Sequence, residues 1–174
     1  MFDAVTPAKA GVHSRIDSRL RGNDDYFTLL SLPQTFDLNP AALEAAYFAA
    51  QRQYHPDRFA GKSAEEKLKA AQKSSDVNEA YNTLKHPLKR AKHLLSIHGI
   101  TVLDEANSAK PDQSLLIEIM ELQEAIAEGN KPDITALITA CEKDLSAAFK
   151  NNIFEAAKIS TIRLSYLYKM HQTH

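Results

Sequence analysis

Leu43, Tyr47, Ala50 and Tyr54 recur at i, i+4, i+7 and i+11, which places them on one stripe of an α-helix. The spacing predicts a helix opening at Pro40, capped by Asn39 and closing near Tyr54. Glu44, Gln51 and Arg52 fall on its other side and read as a solvated face. A second stripe, Ala70, Ser74, Val77, Tyr81 and Leu84, repeats the spacing. Ser63 opens that helix, with Glu66 three residues on in a capping-box arrangement. Two helices with facing stripes and a tight tip predict an antiparallel hairpin. The apolar run over residues 25–33, stopped by Pro33, reads as a short helix covering the open end of the hairpin. After it, Leu88, Ala91, Leu94 and Leu95 mark a further amphipathic helix that ends at Gly99.

Residues 99–111 have Gly, Asn, Ser and Pro but no helical period, so they read as a connector. Three more helices follow, at about residues 112–128, from Pro132 to Phe149, and at about 152–171. In the first, Leu115, Ile119, Leu122 and Ile126 make a core stripe. Leu116, Ile117 and Met120 then fall on the opposite side, beside Glu121 and Glu124. A small bundle does not need those apolar groups for folding, and an apolar patch with a polar rim marks a partner site. In the second, Ile134, Leu137, Ile138, Cys141, Leu145 and Phe149 form one core face, which makes Cys141 a buried, inert thiol. The last helix carries two stripes, Ile153/Ala157/Leu164/Leu167 and Ile159/Ile162/Tyr166/Met170, of which one is expected in the core and the other covered or binding. Short connections predict an antiparallel three-helix bundle, and the whole chain is expected to be all-α. The expected division is 24–98 for the hairpin unit, 99–111 for the connector and 112–174 for the bundle.

Between the two hairpin helices stands Tyr54-His55-Pro56-Asp57-Arg58-Phe59. Pro56 donates no amide and pushes His55 out of the helical region, so the first helix ends there. Asp57 can cap the turn, leaving an imidazole and a carboxylate on display. A general base, a metal ligand, an ordinary turn and a binding tip all use such residues. No second ligand lies at a usual metal spacing beside His55; His93 and His98 are five apart, poorly placed to share a helix face. Arg52 and Arg58, with Lys62, offer a positive patch around the tip.

At 174 residues, 44% hydrophobic and 25% charged, the chain suits one domain or two small ones. A net charge of −1 gives no general argument for nucleic acid or a membrane surface. The charge is uneven, however. Residues 24–99 hold ten Lys/Arg against nine Asp/Glu, while residues 100–174 hold seven against eleven. The single cysteine excludes an intramolecular disulfide and any multi-cysteine metal site. No apolar run reaches the length of a membrane span, and no phosphate loop or activated nucleophile is present, so neither a membrane protein nor an enzyme is expected. Residues 1–23 lack an apolar period; Arg15, Arg19 and Arg21 evoke a transit peptide, but Asp3 and Asp17 argue against one. The run PAKAGVHSRIDSRLRGNDD looks like translated repeat DNA from between bacterial genes, so this segment reads as a disordered extension that need not be native.

The order of motifs resembles a J-domain over residues 25–98: short helix, hairpin, His55-Pro56-Asp57 tip, and Asn78-Glu79-Ala80-Tyr81 on the third helix. With DYFTLLSLP, QRQYHPDRF, TLKHPLKRAKHLLSIHG and LLIEIMELQEAIAE, residues 24–172 resemble the HscB family of J-type co-chaperones. The resemblance implies that the tip docks on a DnaK-type chaperone, HscA, and stimulates its ATP hydrolysis. It also implies that the bundle carries IscU, the scaffold on which iron–sulfur clusters are built. His55, Pro56 and Asp57 would then act by shape and charge, with Arg52 and Arg58 beside them. Leu116, Ile117, Met120, Glu121, Glu124 and Tyr166 match the scaffold-binding positions. Neither a cofactor nor a metal is implied, and the cytoplasm is the expected location. The sparse Ala49-Ala50-Gln51-Arg52-Gln53 stretch before the tip suits a dedicated chaperone. A general DnaK partner with another client, or a helical adaptor whose His-Pro-Asp is only a turn, remain the rival readings. Against the family pattern the last helix is short and a cysteine-rich zinc module is absent, which favours a bacterial-type form.

Overall fold

The computed structural model describes residues 25–102 and 113–173. The extension at residues 1–23, most of the connector and the expected helix start at Asp112 lie outside the described residues. Among the described residues there are seven α-helices, one 3-10 turn and no strand. The helices are α1 (Tyr26–Leu29), α2 (Pro40–Tyr54), α3 (Ala64–Lys85), α4 (Pro87–Ile97), α5 (Gln113–Ala127), α6 (Ile134–Lys150) and α7 (Phe154–Thr173). The 3-10 turn, Pro56–Phe59, joins α2 to α3.

Two kinds of stop set these lengths. α2 and α3 each end on a His-Pro pair, with His55 and His86 held extended ahead of Pro56 and Pro87. α1, α4, α5 and α6 end instead on a residue of positive φ: Ser31, Gly99, Gly129 and Asn152. At each, that residue's N–H reaches the carbonyl three back, and the next N–H reaches five back, as from Ile100 to Leu95 and Asn130 to Ala125. This stop was legible at the glycines. It was not legible at Ser31 and Asn152, which adopt the left-handed conformation at some cost. At the other ends, Asn39 accepts from the Ala41 and Ala42 amides, and Ser63 and Glu66 form the expected reciprocal box.

The α2–α3 hairpin buries Leu43, Ala50, Ala70, Val77, Ala80 and Leu84, with Tyr47 and Tyr81 stacked at 4.4 Å. Gln51 departs from its solvated reading. Its amide donates to Asn78 Oδ1 at 2.6 Å, its carbonyl accepts from Ser74 Oγ at 3.3 Å, and Tyr47 Oη donates to the same Asn78 oxygen at 2.9 Å. A polar clasp thus closes one edge of an otherwise apolar helix pair.

α1 is held from a distance. Asp25 caps it, accepting from Phe27 and Thr28 amides, Thr28 Oγ1 and Gln34 Nε2. Burial works to raise the Asp25 pKa, yet these hydrogen bonds together hold it below the usual carboxylate range. His93 of α4, buried, accepts the Tyr26 amide on Nε2 at 3.2 Å and stacks on Tyr26 and Phe27. Burial holds the His93 pKa below its ordinary 6.5, although the Asp25 carboxylate 3.8 Å away pulls it upward. A depressed folded pKa means that the unfolded chain takes up the proton first. The contribution of His93 to stability is therefore present above about pH 6.5 and lost as pH falls through its folded value. His93→Gln removes the titration while keeping an acceptor, so its urea-unfolding free energy should fall less between pH 7.5 and 5.5 than that of the wild type. His86, also lowered by burial and by Lys89, titrates in both proteins and cancels in the comparison. Equal losses in the two proteins would show that His93 is not the group responsible.

α4 joins the two halves, packing on α3 on one side and on α7 on the other. Around it the loop before α2 meets α6: Phe36 stacks on Phe149, and Asp37 takes Lys150 and Ser146, each at 2.6 Å. Arg90 lies over the Phe36 ring at 5.0 Å and donates to Leu84 O at 2.6 Å. His98 stacks on Phe154 at 4.1 Å, and Tyr168 Oη donates to Glu142 at 3.0 Å. One continuous apolar core runs from Phe27 through Leu95 to Leu164 and Leu167.

In the bundle α7 is central, packing most extensively on α6 and also touching α5 and α4. Because it has neighbours on three sides, its two apolar stripes do not divide as one core and one surface. Ala157, Leu164 and Leu167 of the first are buried, but Ile153 of that stripe is exposed; Met170 of the second is buried while Ile159 is exposed. Thr161 is also fully buried, its hydroxyl donating to Ala157 O at 2.6 Å. Cys141 is buried as expected; its thiol donates to Ser160 O at 3.2 Å, and burial pushes its pKa up to about 11.

Candidate functional site

The tip is set by backbone chemistry before any side chain acts. Pro56 starts the 3-10 turn, and the Arg58 amide returns to His55 O at 3.0 Å. The Asp57 amide donates to His55 Nδ1 at 3.3 Å. With Nδ1 accepting, the neutral ring carries its proton on Nε2. The Asp57 carboxylate lies 3.6 Å from the same nitrogen. The His55 side chain is 56% exposed and that of Asp57 91%. A rigid imidazole N–H and a solvated carboxylate therefore stand beside each other at the end of the hairpin. The two arginines frame them. Arg58 donates to Arg52 O, and Arg52 Nε donates to Phe48 O, both at 3.3 Å. Arg58 thus also serves the carbonyl end of α2, where positive charge is favoured. Lys62 is exposed just beyond.

On α5, Leu115 and Ile119 are buried and Leu122 and Ile126 half-buried, so the expected core stripe faces the bundle. On the far side Ile117 is 50% exposed and Met120 65%, with Glu121 and Glu124 exposed beside them. Leu116 is half-buried, on the border of the two faces. α5 is fixed in rotation by Arg163 of α7, which grips Glu118 at 2.5 Å and lies 3.9 Å from Asp144 of α6. Tyr166, half-buried, lies one turn beyond Arg163 on α7. The tip packs against α3 and α5 packs against α7, so the two residue sets form two surfaces rather than one site.

Phe48, Gln51, Arg52, His55 and Arg58 line a shallow, mainly apolar depression beside the tip. Sequence reasoning missed Phe48, which follows the core residue Tyr47 and is turned outward by one residue step of the helix. It also missed Arg163, because its partners lie 45 and 19 residues away in sequence. Among the described residues no group of three His, Cys, Asp or Glu could hold a metal ion, and no helix is long and apolar enough to cross a membrane.

Comparison with known proteins returns two family models in the same order as the two surfaces. The DnaJ domain model matches residues 25–93, and the HSCB C-terminal oligomerisation domain model matches residues 111–173. The co-chaperone protein HscB of Proteus mirabilis (strain HI4320) is 46% identical over 102 residues. That match spans 59% of this chain and 58% of the relative, a little under three fifths of its length. Among solved structures, chaperone HscB from Vibrio cholerae superposes with a TM-score of 0.69 at 30% identity, covering 85% of this chain and 93% of the other. Human co-chaperone protein HscB superposes with a TM-score of 0.76 at 30% identity, covering 96% and 92%. An all-α hairpin with a displayed His-Pro-Asp tip, joined through α4 to a helical bundle, is thereby placed in the family its motifs resemble: the chain belongs to the HscB co-chaperones.

Proposed function

We propose that this chain docks on a DnaK-type ATPase of the HscA class through His55, Pro56 and Asp57, flanked by Arg52 and Arg58. In the same reading it carries an IscU-type scaffold on the face of Leu116, Ile117, Met120, Glu121 and Glu124 of α5, together with Tyr166 of α7. Delivery of the scaffold to the chaperone, coupled to faster ATP hydrolysis, would serve the maturation of iron–sulfur proteins. The protein acts by binding, without catalytic residues, cofactor or metal of its own, and we place it in the cytoplasm. The hairpin unit is taken as 24–98 and the scaffold-binding bundle as 112–174.

The observation that carries this reading is the separation of two exposed surfaces by one continuous core. A rigid polar tip stands on the hairpin, and two large apolar side chains, Ile117 and Met120, stand exposed on a helix whose other face is already packed. The test is steady-state ATP hydrolysis by an HscA-type chaperone, with and without an IscU-type scaffold and this protein. Stimulation greater with both than with either alone is expected. No stimulation, with chaperone and scaffold independently active, would leave the fold standing and remove the function.

A further inference from the structure

An exposed aromatic ring is unremarkable when it stands alone. Phe48 does not stand alone. It is 53% exposed on α2 and walls the same depression as His55, so the tip continues into an apolar surface. The remaining lining residues are Gln51, Arg52 and Arg58, with no carboxylate among them. Gln51 is tied to Asn78 and Ser74, and the Arg58 and Arg52 guanidinium groups are tied to the carbonyls of Arg52 and Phe48. The depression is therefore held open by bonds within the hairpin instead of by the ring itself. Its lining is mainly apolar and includes two arginines.

We infer that Phe48 is an apolar anchor for the ATPase partner, receiving an aliphatic side chain that is flanked on the partner by carboxylates. The inference rests on the proposed docking of the tip and goes further: it assigns affinity to Phe48 and triggering to His55. Continuity with the tip places this surface against whatever the tip docks on, and the two lining arginines select an acidic neighbourhood there. A buried aromatic in a small pocket supplies binding energy independent of the polar contacts around it.

The experiment is a titration of ATPase stimulation by the full chain, using an HscA-type chaperone and scaffold, with Phe48→Ala, Phe48→Leu, Phe48→Glu and His55→Gln. Phe48→Ala should raise the concentration for half-maximal stimulation by about five- to tenfold, the loss expected of one interface anchor, with the same maximum at saturation. Phe48→Leu should stay near the wild type, and Phe48→Glu should be the weakest, since it brings like charge to an acidic partner. His55→Gln should lower the maximum itself. Superimposable curves for the wild type, Phe48→Ala and Phe48→Glu, with His55→Gln inactive, would overturn the anchor and leave the docking reading intact. If His55→Gln stimulates fully, the docking reading fails instead. Sedimentation of each variant tests the other occupant: if the only effect of Phe48→Ala is loss of self-association, the ring meets a second copy of this chain and the inference is overturned.

Discussion

Replacing His55 with glutamine is expected to remove stimulation of the partner ATPase by about tenfold or more, with no measurable change in folding stability. The ring is more than half exposed and packs on nothing in the core, so its loss leaves the hairpin as stable as before. What changes is direction. In the native tip the Asp57 amide bonds to Nδ1, which holds the ring and leaves Nε2 as its donor. Glutamine has a donor of its own, but on a flexible chain with no ring to lock. The proline-fixed turn would still present the Asp57 carboxylate. A donor lost from a desolvated contact costs about 1–3 kcal/mol, and a contact made only as hydrolysis is triggered takes that cost from the maximum rate, so saturation does not restore it. Steady-state hydrolysis at saturating co-chaperone, alongside a urea melt, separates the two effects. A melt shifted as much as the activity would mean that His55 is structural.

The hairpin was legible because each of its parts has a local cause. Stripes at helical spacing gave α2 and α3, Asn39 and Ser63 gave their starts, and the His55-Pro56 pair gave the end of α2. The two-faced reading of α5 also rested on spacing alone, and Ile117 and Met120 do stand exposed opposite Leu115 and Ile119. Spacing puts Leu116 on the side opposite the core stripe, but a step of about 100° per residue from the buried Leu115 leaves it at the border.

The parts that were not legible depend on partners far away in sequence. Spacing says of His93 only that it makes a poor metal pair with His98; its role comes from the amide of Tyr26, 67 residues earlier. Gln51 looked solvated because a period of hydrophobicity says nothing about an amide that finds Asn78 and Ser74 across a helix pair. Spacing alone also leaves open how the two stripes of α7 divide. A helix surrounded by α6, α5 and α4 has no single inner face, so Met170 and Thr161 join its core while Ile153 leaves it. Threonine can do so because its hydroxyl bonds to the carbonyl four residues back and needs no other partner.

That same packing decides which residues can test the scaffold surface. Leu116 is half-buried, so truncating it mixes bundle stability with binding. Ile117 and Met120 are cleaner, since half or more of each is still in water before a partner arrives. Full burial of such a side chain is worth about 1.5–3 kcal/mol. With half to two thirds of each left to bury, the pair offers about 2–3 kcal/mol, which is about 30- to 150-fold in Kd. Ile117→Ala with Met120→Ala should therefore weaken binding to an IscU-type scaffold by that factor, read by calorimetry, while helicity and the unfolding midpoint stay close to the wild type. Alanine also raises helix propensity at both positions, so a drop in helicity would have no local cause. Such a drop would place the two side chains in the core and refute the surface. Unchanged binding by a well-folded double variant would leave Tyr166 and the exposed Ile159 on α7 as the face to test next.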